Sequence, residues 1–130
     1  TPAETLDLAE KLISAHRPFH AHDVFEDQWK QTSGSDRLLW RGLAQLAVGI
    51  THAARGNPRG ASAVLARAAQ SIAPFADDPP HAIDVAGLCD WAGSESRRLE
   101  EFGAHTQGKN PDTTAQDAPV WLDVPRLRTR

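Results

Sequence analysis

Apolar residues recur with a helical period along most of the chain. In residues 3–16, AETLDLAEKLISAH, Leu6, Ala9, Leu12 and Ile13 fall at near-helical spacing, with Glu4 and Asp7 in the first turn, where the helix dipole favours acids. This predicts an amphipathic helix that Pro18 interrupts, because a proline restricts the residue before it, here Arg17. A second helix is expected over residues 20–31. Thr32, Ser33, Gly34 and Ser35 end it, and Ser35 or Asp36 can cap a third that runs to about residue 55.

The third segment is apolar or small around much of its circumference, with Leu38, Leu39, Trp40, Leu43, Leu46, Val48 and Ile50 among its residues. Such a helix is expected to be central, with neighbours on more than one face. Gly42 and Gly49, at i and i+7, line one stripe where a missing side chain lets another helix come close. Gly56, Asn57 and Pro58 then read as a left-handed closing residue, a cap and a first helical position. The fourth helix follows with Ala61, Val64, Leu65, Ala68 and Ile72 inward, until Pro74 ends it; so short a link makes the third and fourth helices antiparallel neighbours.

Residues 74–83, with three prolines, read as an extended connection. Asp84 reads as the cap of a fifth helix to about residue 102, whose middle is weakened by Gly93, Ser94 and Ser96. Residues 103–118 are polar and too poor in apolar side chains to hold a core, so an irregular arm is expected there. Val120, Trp121, Leu122, Val124 and Leu127 can bring its end back onto the helices. No stretch alternates with the period of a strand. The reading is all-α: a single compact bundle of about five helices over residues 1–103, with residues 104–130 as an irregular C-terminal arm.

Bulk properties narrow the partners. A formal net charge of −3 gives no global attraction to nucleic acid or an anionic membrane, so neither is expected as a primary partner. One cysteine, Cys89, cannot form an internal disulfide, and its apolar setting GLCDW suits a small buried hydrophobe. No run approaches the roughly 18 apolar residues of a membrane span, and the first residues lack a secretion signal, so a cytoplasmic location is expected. There is no glycine-rich phosphate loop, cysteine pair or dinucleotide fingerprint on which to base a nucleotide-binding or redox reading.

Candidate chemistry is concentrated in residues 19–52. His22, Phe25, Glu26 and Trp29 stand at i, i+3, i+4 and i+7, on one face of the second helix. If that aromatic face is buried, His22 and Glu26 go with it, and a buried carboxylate needs a partner. Arg41, Gln45 and His52 share a side of the next helix and can supply one. His16, His20, His81 and His105 read as exposed.

The blocks HAHDVFEDQW, RGLAQLAVGITH and RGNPRGASAVLARA, in that order, resemble the domain of unknown function family 309, small all-helical proteins, over about residues 5–100. His22, Glu26, Trp29, Gly42, Leu43, Gln45, His52, Gly56, Asn57, Gly60 and Ala61 stand at positions matching that family's pattern. His20, Asp23 and Arg41 depart from it, and His20 stands where the family usually has a second carboxylate. The resemblance implies a fold and a recurrent polar cluster, and carries no established reaction.

The cluster supports three readings. The first is a structural or ligand-binding network of His22, Glu26, Arg41, Gln45 and His52 in a pocket walled by Phe25, Trp29 and Trp40, with no assignable reaction. The second is a hydrolase-like centre in which His22, Glu26 and His52 hold zinc, manganese or iron, or in which Glu26 or His22 acts as a base without a metal. The third is a protein-protein interaction module: residues 39–75 have the look of one tetratricopeptide-type hairpin, which alone would work as a single bundle or a homo-oligomer. An unknown small molecule or a protein is the expected partner.

Overall fold

The computed structural model describes residues 1–107 and 119–129, the side chains of 104–107 excepted. Five helices follow one another: α1 (Pro2–Ser14), α2 (Pro18–Gln31), α3 (Asp36–Ala54), α4 (Pro58–Ile72) and α5 (Val85–Gln107). Each packs against the next in sequence, and among the described residues there is no strand, only an isolated antiparallel bridge between Ile83 and Arg128. The protein is an all-α bundle.

Local chemistry sets the helix ends. Thr1 and Glu4 form a capping box that starts α1. At its far end the Arg17 amide donates to Leu12 O at 2.7 Å and that of His16 to Ile13 O at 3.1 Å, the paired bonds of a Schellman turn. His16 takes the left-handed position there, with φ 61°, which is why the helix stops at Ser14 and not at residue 16. The turn after α3 repeats the motif. Asn57 N reaches His52 O at 2.9 Å, Gly56 N reaches Ala53 O at 3.0 Å, and Gly56 has φ 76°. Asn57 then caps α4 through Gly60 N at 3.1 Å, and Asp84 caps α5 through Gly87 N at 3.2 Å. Ser35 stands at the α3 cap position but its side chain makes no capping bond.

α3 is the central rod. Leu39, Trp40, Leu43, Leu46, Ala47 and Ile50 are all buried, and α2 and α4 both lie against it. A Cβ added at Gly42 would sit 2.5 Å from Ile72 Cγ2, and one at Gly49 would sit 2.7 Å from Leu65 Cδ2, so both glycines mark where α4 closes on α3. α5 runs unbroken through Gly93, Ser94 and Ser96 to Gln107, beyond the expected end near residue 102. Ser96 is buried against α4, and its hydroxyl is satisfied there, which removes the reason for a kink.

Of the polar arm expected after the bundle, residues 108–118 lie outside the described residues. Residues 119–129 lie on the bundle: Leu127 is fully buried, and Val120 N donates to Ala53 O at 2.8 Å.

Candidate functional site

The groove between α2 and α3 is lined by His22, Glu26 and Trp29 from one helix and by Arg41, Ala44, Gln45 and Val48 from the other, around a cavity of about 230 Å³. Both sets follow from helical geometry. Positions 22, 26 and 29 repeat at i, i+4 and i+7, and positions 41, 44, 45 and 48 at i, i+3, i+4 and i+7, so each set is a stripe. Because α2 and α3 are antiparallel and joined by a short turn, residue 26 comes level with about residue 41, and residue 22 with about residue 45.

Within the groove His22 Nε2 lies 3.1 Å from Glu26 Oε2. The two are within ion-pair reach, an attraction that requires the ring to be protonated. Its Nδ1 is shielded from solvent and has no hydrogen-bond partner, and Asp23 Oδ1 lies 3.5 Å away. Lys30 Nζ approaches the other carboxylate oxygen of Glu26 at 3.4 Å. Gln45 Oε1 accepts from Ser71 on α4 at 2.8 Å, which leaves its amide NH₂ to donate elsewhere. Arg41 is exposed and has no ion-pair partner among the described residues. Arg37 lies over the Trp29 ring, 4.6 Å from its centre.

The structure therefore brings together His22, Glu26, Trp29, Arg41 and Gln45, and separates them from the other expected members. The pair is at a rim and not in the interior: the His22 side chain is 21 % exposed and that of Glu26 35 %. Phe25 and Trp40 do not wall the groove; both are buried in the core, with ring centres 6.4 Å apart. Phe25 sits about 60° to one side of His22 on the helix and Glu26 about 40° to the other, so the face splits into a core edge and a groove edge. His52 shares the azimuth of Arg41 but stands some 16 Å further along the axis. It is level with the turn before α2, and its Nδ1 faces Asn57 Nδ2 at 3.2 Å.

Consequently His22, Glu26 and His52 do not form a ligand set, and among the described residues no three His, Cys, Asp or Glu side chains are grouped to hold a metal ion. Ala44 and Val48 read in the sequence only as part of the third helix's apolar surface, and the structure places them in the groove lining; their spacing to Arg41 is the signal that locates them. His16, His20 and His81 are exposed as expected, while His105 lies outside the described side chains. His16 stacks on Trp121 at 4.1 Å, and His81 lies 5.9 Å from Trp40.

Fold and groove together define a small helical-bundle protein with a half-open polar cleft. Residues 6–64, from α1 into α4, match the family described as Domain of unknown function (DUF309), and the matched stretch includes the whole groove. The match ends at residue 64, short of the residue 100 to which the resemblance extends. No curated protein and no solved structure gives a significant match. The family carries no assigned reaction.

Proposed function

We propose that the cleft between α2 and α3 is a binding site for a compact zwitterion of the size of an amino acid. The observation that carries this reading is the convergence of opposite charges, Glu26 and Arg41, with the Trp29 ring and the Gln45 amide on a cavity of about 230 Å³. Arg41 and the Gln45 NH₂ suit a carboxylate, Glu26 suits an ammonium group, and Trp29, Ala44 and Val48 suit the apolar body between them. The space is below the roughly 300–1,000 Å³ of cofactor pockets, which favours a small ligand. No step of bond making is assigned to the site.

A metal-assisted reading has one observation in its favour. His22 places Nε2 3.1 Å from the Glu26 carboxylate and leaves Nδ1 unpaired, the side-by-side placing in which carboxylates orient metal-ligating imidazoles. It stands second because Nδ1 is closed to solvent and only Asp23 stands beside it.

Melting of the purified protein in the presence of individual amino acids, and separately of zinc, manganese and iron(II) salts, separates the two. Stabilisation by an amino acid that Arg41→Ala and Glu26→Gln both remove supports the zwitterion site. Stabilisation by a metal that His22→Ala alone removes supports the second reading. A melting point unmoved by either class defeats both.

A further inference from the structure

Residues 119–129 cross the open side of α1 as an extended segment. Val120, Leu122 and Val124 are half-buried and Leu127 is fully buried, while Trp121, Asp123, Arg126 and Thr129 are exposed. That near-alternation is how an extended chain lies on an apolar face.

The backbone of the segment is held at four points by groups far away in sequence. Val120 N donates to Ala53 O at 2.8 Å, Leu127 N to the Glu10 carboxylate at 2.7 Å, and Thr129 N to Ala82 O at 2.8 Å; Leu127 O accepts from Asp84 N at 2.8 Å. Arg128 pairs with Asp7. Main-chain bonds along the segment, alternate side chains seated, and a charge at the end are the means by which extended peptides are bound in grooves.

The segment thus makes its contacts as a ligand does. A cavity of about 190 Å³ remains along the seam, between Glu10, Ile13 and Ser14 on one side and Val124 and Leu127 on the other, so the fit is incomplete. Gly103 on α5 lies beside Pro58 and Arg59, and Val120 is bonded to Ala53, so the link begins and finishes at the same end of the bundle. A link the length of residues 108–118 can span up to about 36 Å. That length allows the segment to seat on a neighbouring molecule as well as on its own.

We propose that the face formed by α1 and residues 82–84 is an acceptor site for an extended peptide, and that its occupant in trans is the same segment of a second copy of this chain, giving a dimer by reciprocal exchange. The occupant has to present an apolar residue to the Leu127 seat, with its backbone N–H to Glu10 and its C=O to Asp84, and a cation to Asp7 one residue later. A second copy supplies that pattern in full, and closed two-fold exchange satisfies both acceptor sites at once.

The test uses the full-length chain and a fluorescein-labelled peptide of residues 119–129, read by fluorescence anisotropy, with sedimentation equilibrium of the unlabelled protein alongside. Saturable binding is expected to a Leu127→Asp chain, about tenfold or more tighter than to the wild-type chain, whose own segment competes at an effective concentration of order millimolar. A peptide carrying the same substitution should not bind, and the wild-type protein should gain dimer as concentration rises. If the Leu127→Asp chain loses its helical circular dichroism, a Leu127→Ala chain, whose segment is loosened without a buried charge, takes its place. No saturable binding to the folded Leu127-substituted chain at up to roughly 1 mM peptide overturns the acceptor site. Binding indifferent to Leu127→Asp in the peptide does the same, and peptide binding by a protein that stays monomeric throughout overturns the second copy as occupant.

Discussion

Ser62 on α4 and Ser96 on α5 bond each other reciprocally: the Ser62 hydroxyl donates to Ser96 O at 2.7 Å, and the Ser96 hydroxyl donates to Ser62 O at 2.8 Å. Each hydroxyl has one proton, and both are spent on carbonyls, so the 3.1 Å approach of the two oxygens is a contact and not a third bond. Both residues are buried, and the pair fixes the register of the two helices. Ser62→Ala and Ser96→Ala are each expected to cost about 0.5–1.5 kcal/mol, and the double variant close to their sum, because each hydroxyl is bonded to a main-chain carbonyl that the other substitution leaves in place. A double-mutant cycle by urea unfolding checks this; a double variant costing much less than the sum would mean that the two hydroxyls bond each other.

The glycines of α3 invite the opposite expectation from the one helix propensity gives. Alanine is about 1 kcal/mol better than glycine inside a helix. At Gly42, however, a Cβ would meet Ile72 Cγ2 at 2.5 Å and Ser71 Cβ at 3.2 Å, and at Gly49 it would meet Leu65 Cγ at 2.8 Å and Leu65 N at 3.3 Å. Overpacking of this kind costs about 1–3 kcal/mol. Gly42→Ala and Gly49→Ala should therefore lower the urea midpoint; a rise in it for either would show that α4 yields cheaply.

These contacts also show what could be read in advance. Gly56, Asn57, Pro58 and Asp84 fix helix ends by local chemistry, which is written in the sequence, and Gly42 and Gly49 predicted a close crossing because nothing else explains two glycines on one helical stripe. His16 was opaque, since its left-handed φ of 61° is a conformation usually left to glycine or asparagine. For the cleft, the stripes on α2 and α3 were legible and the depth was not. Periodicity gives azimuth, which grouped His52 with Arg41, but says little about position along the axis until the antiparallel pairing of the two helices is laid out. Nor does it say on which side of His22 the core lies, and that alone decides that Phe25 is buried while Glu26 stays half-open.

The His22–Glu26 pair should matter more for binding than for stability. A pair this exposed is worth about 0–1 kcal/mol, in contrast to the loss expected had it been interior. Glu26→Gln is therefore expected to leave the urea midpoint within about 1 kcal/mol of wild type while removing the thermal response to the zwitterion. A much larger destabilisation would mean that the carboxylate holds α2 against α3, and the cleft would then be structural.

Two consecutive residues between α4 and α5, His81 and Ala82, have φ of 56° and 58°. For an L-residue the left-handed region costs about 1–2 kcal/mol, whereas glycine enters it freely but loses more entropy on folding. Ala82 bonds Thr129 through its carbonyl, which glycine keeps. Ala82→Gly is thus expected to be neutral to stabilising, by up to about 1 kcal/mol; a clear destabilisation in thermal unfolding would show that the Ala82 methyl group packs usefully.

Cys89 supplies a pH dependence whose sign can be worked out. Burial pushes its thiol above the ordinary value of 9.0, and the neighbouring Asp90 carboxylate adds to the shift; the thiol also donates to Ala69 O at 3.4 Å. The thiolate is the nucleophile, so alkylation by iodoacetamide should be slower than that of a free cysteine at the same alkaline pH, with its midpoint displaced upward. Below the free-thiol value both folded and unfolded chains hold the proton, and this group leaves stability level. Above it the unfolded chain ionises first, so stability falls as pH rises until the folded thiol too has titrated. Asp90→Asn removes only the smaller cause and should move the alkylation midpoint partway back, whereas a midpoint returned fully to that of free cysteine would assign the shift to the carboxylate and not to burial.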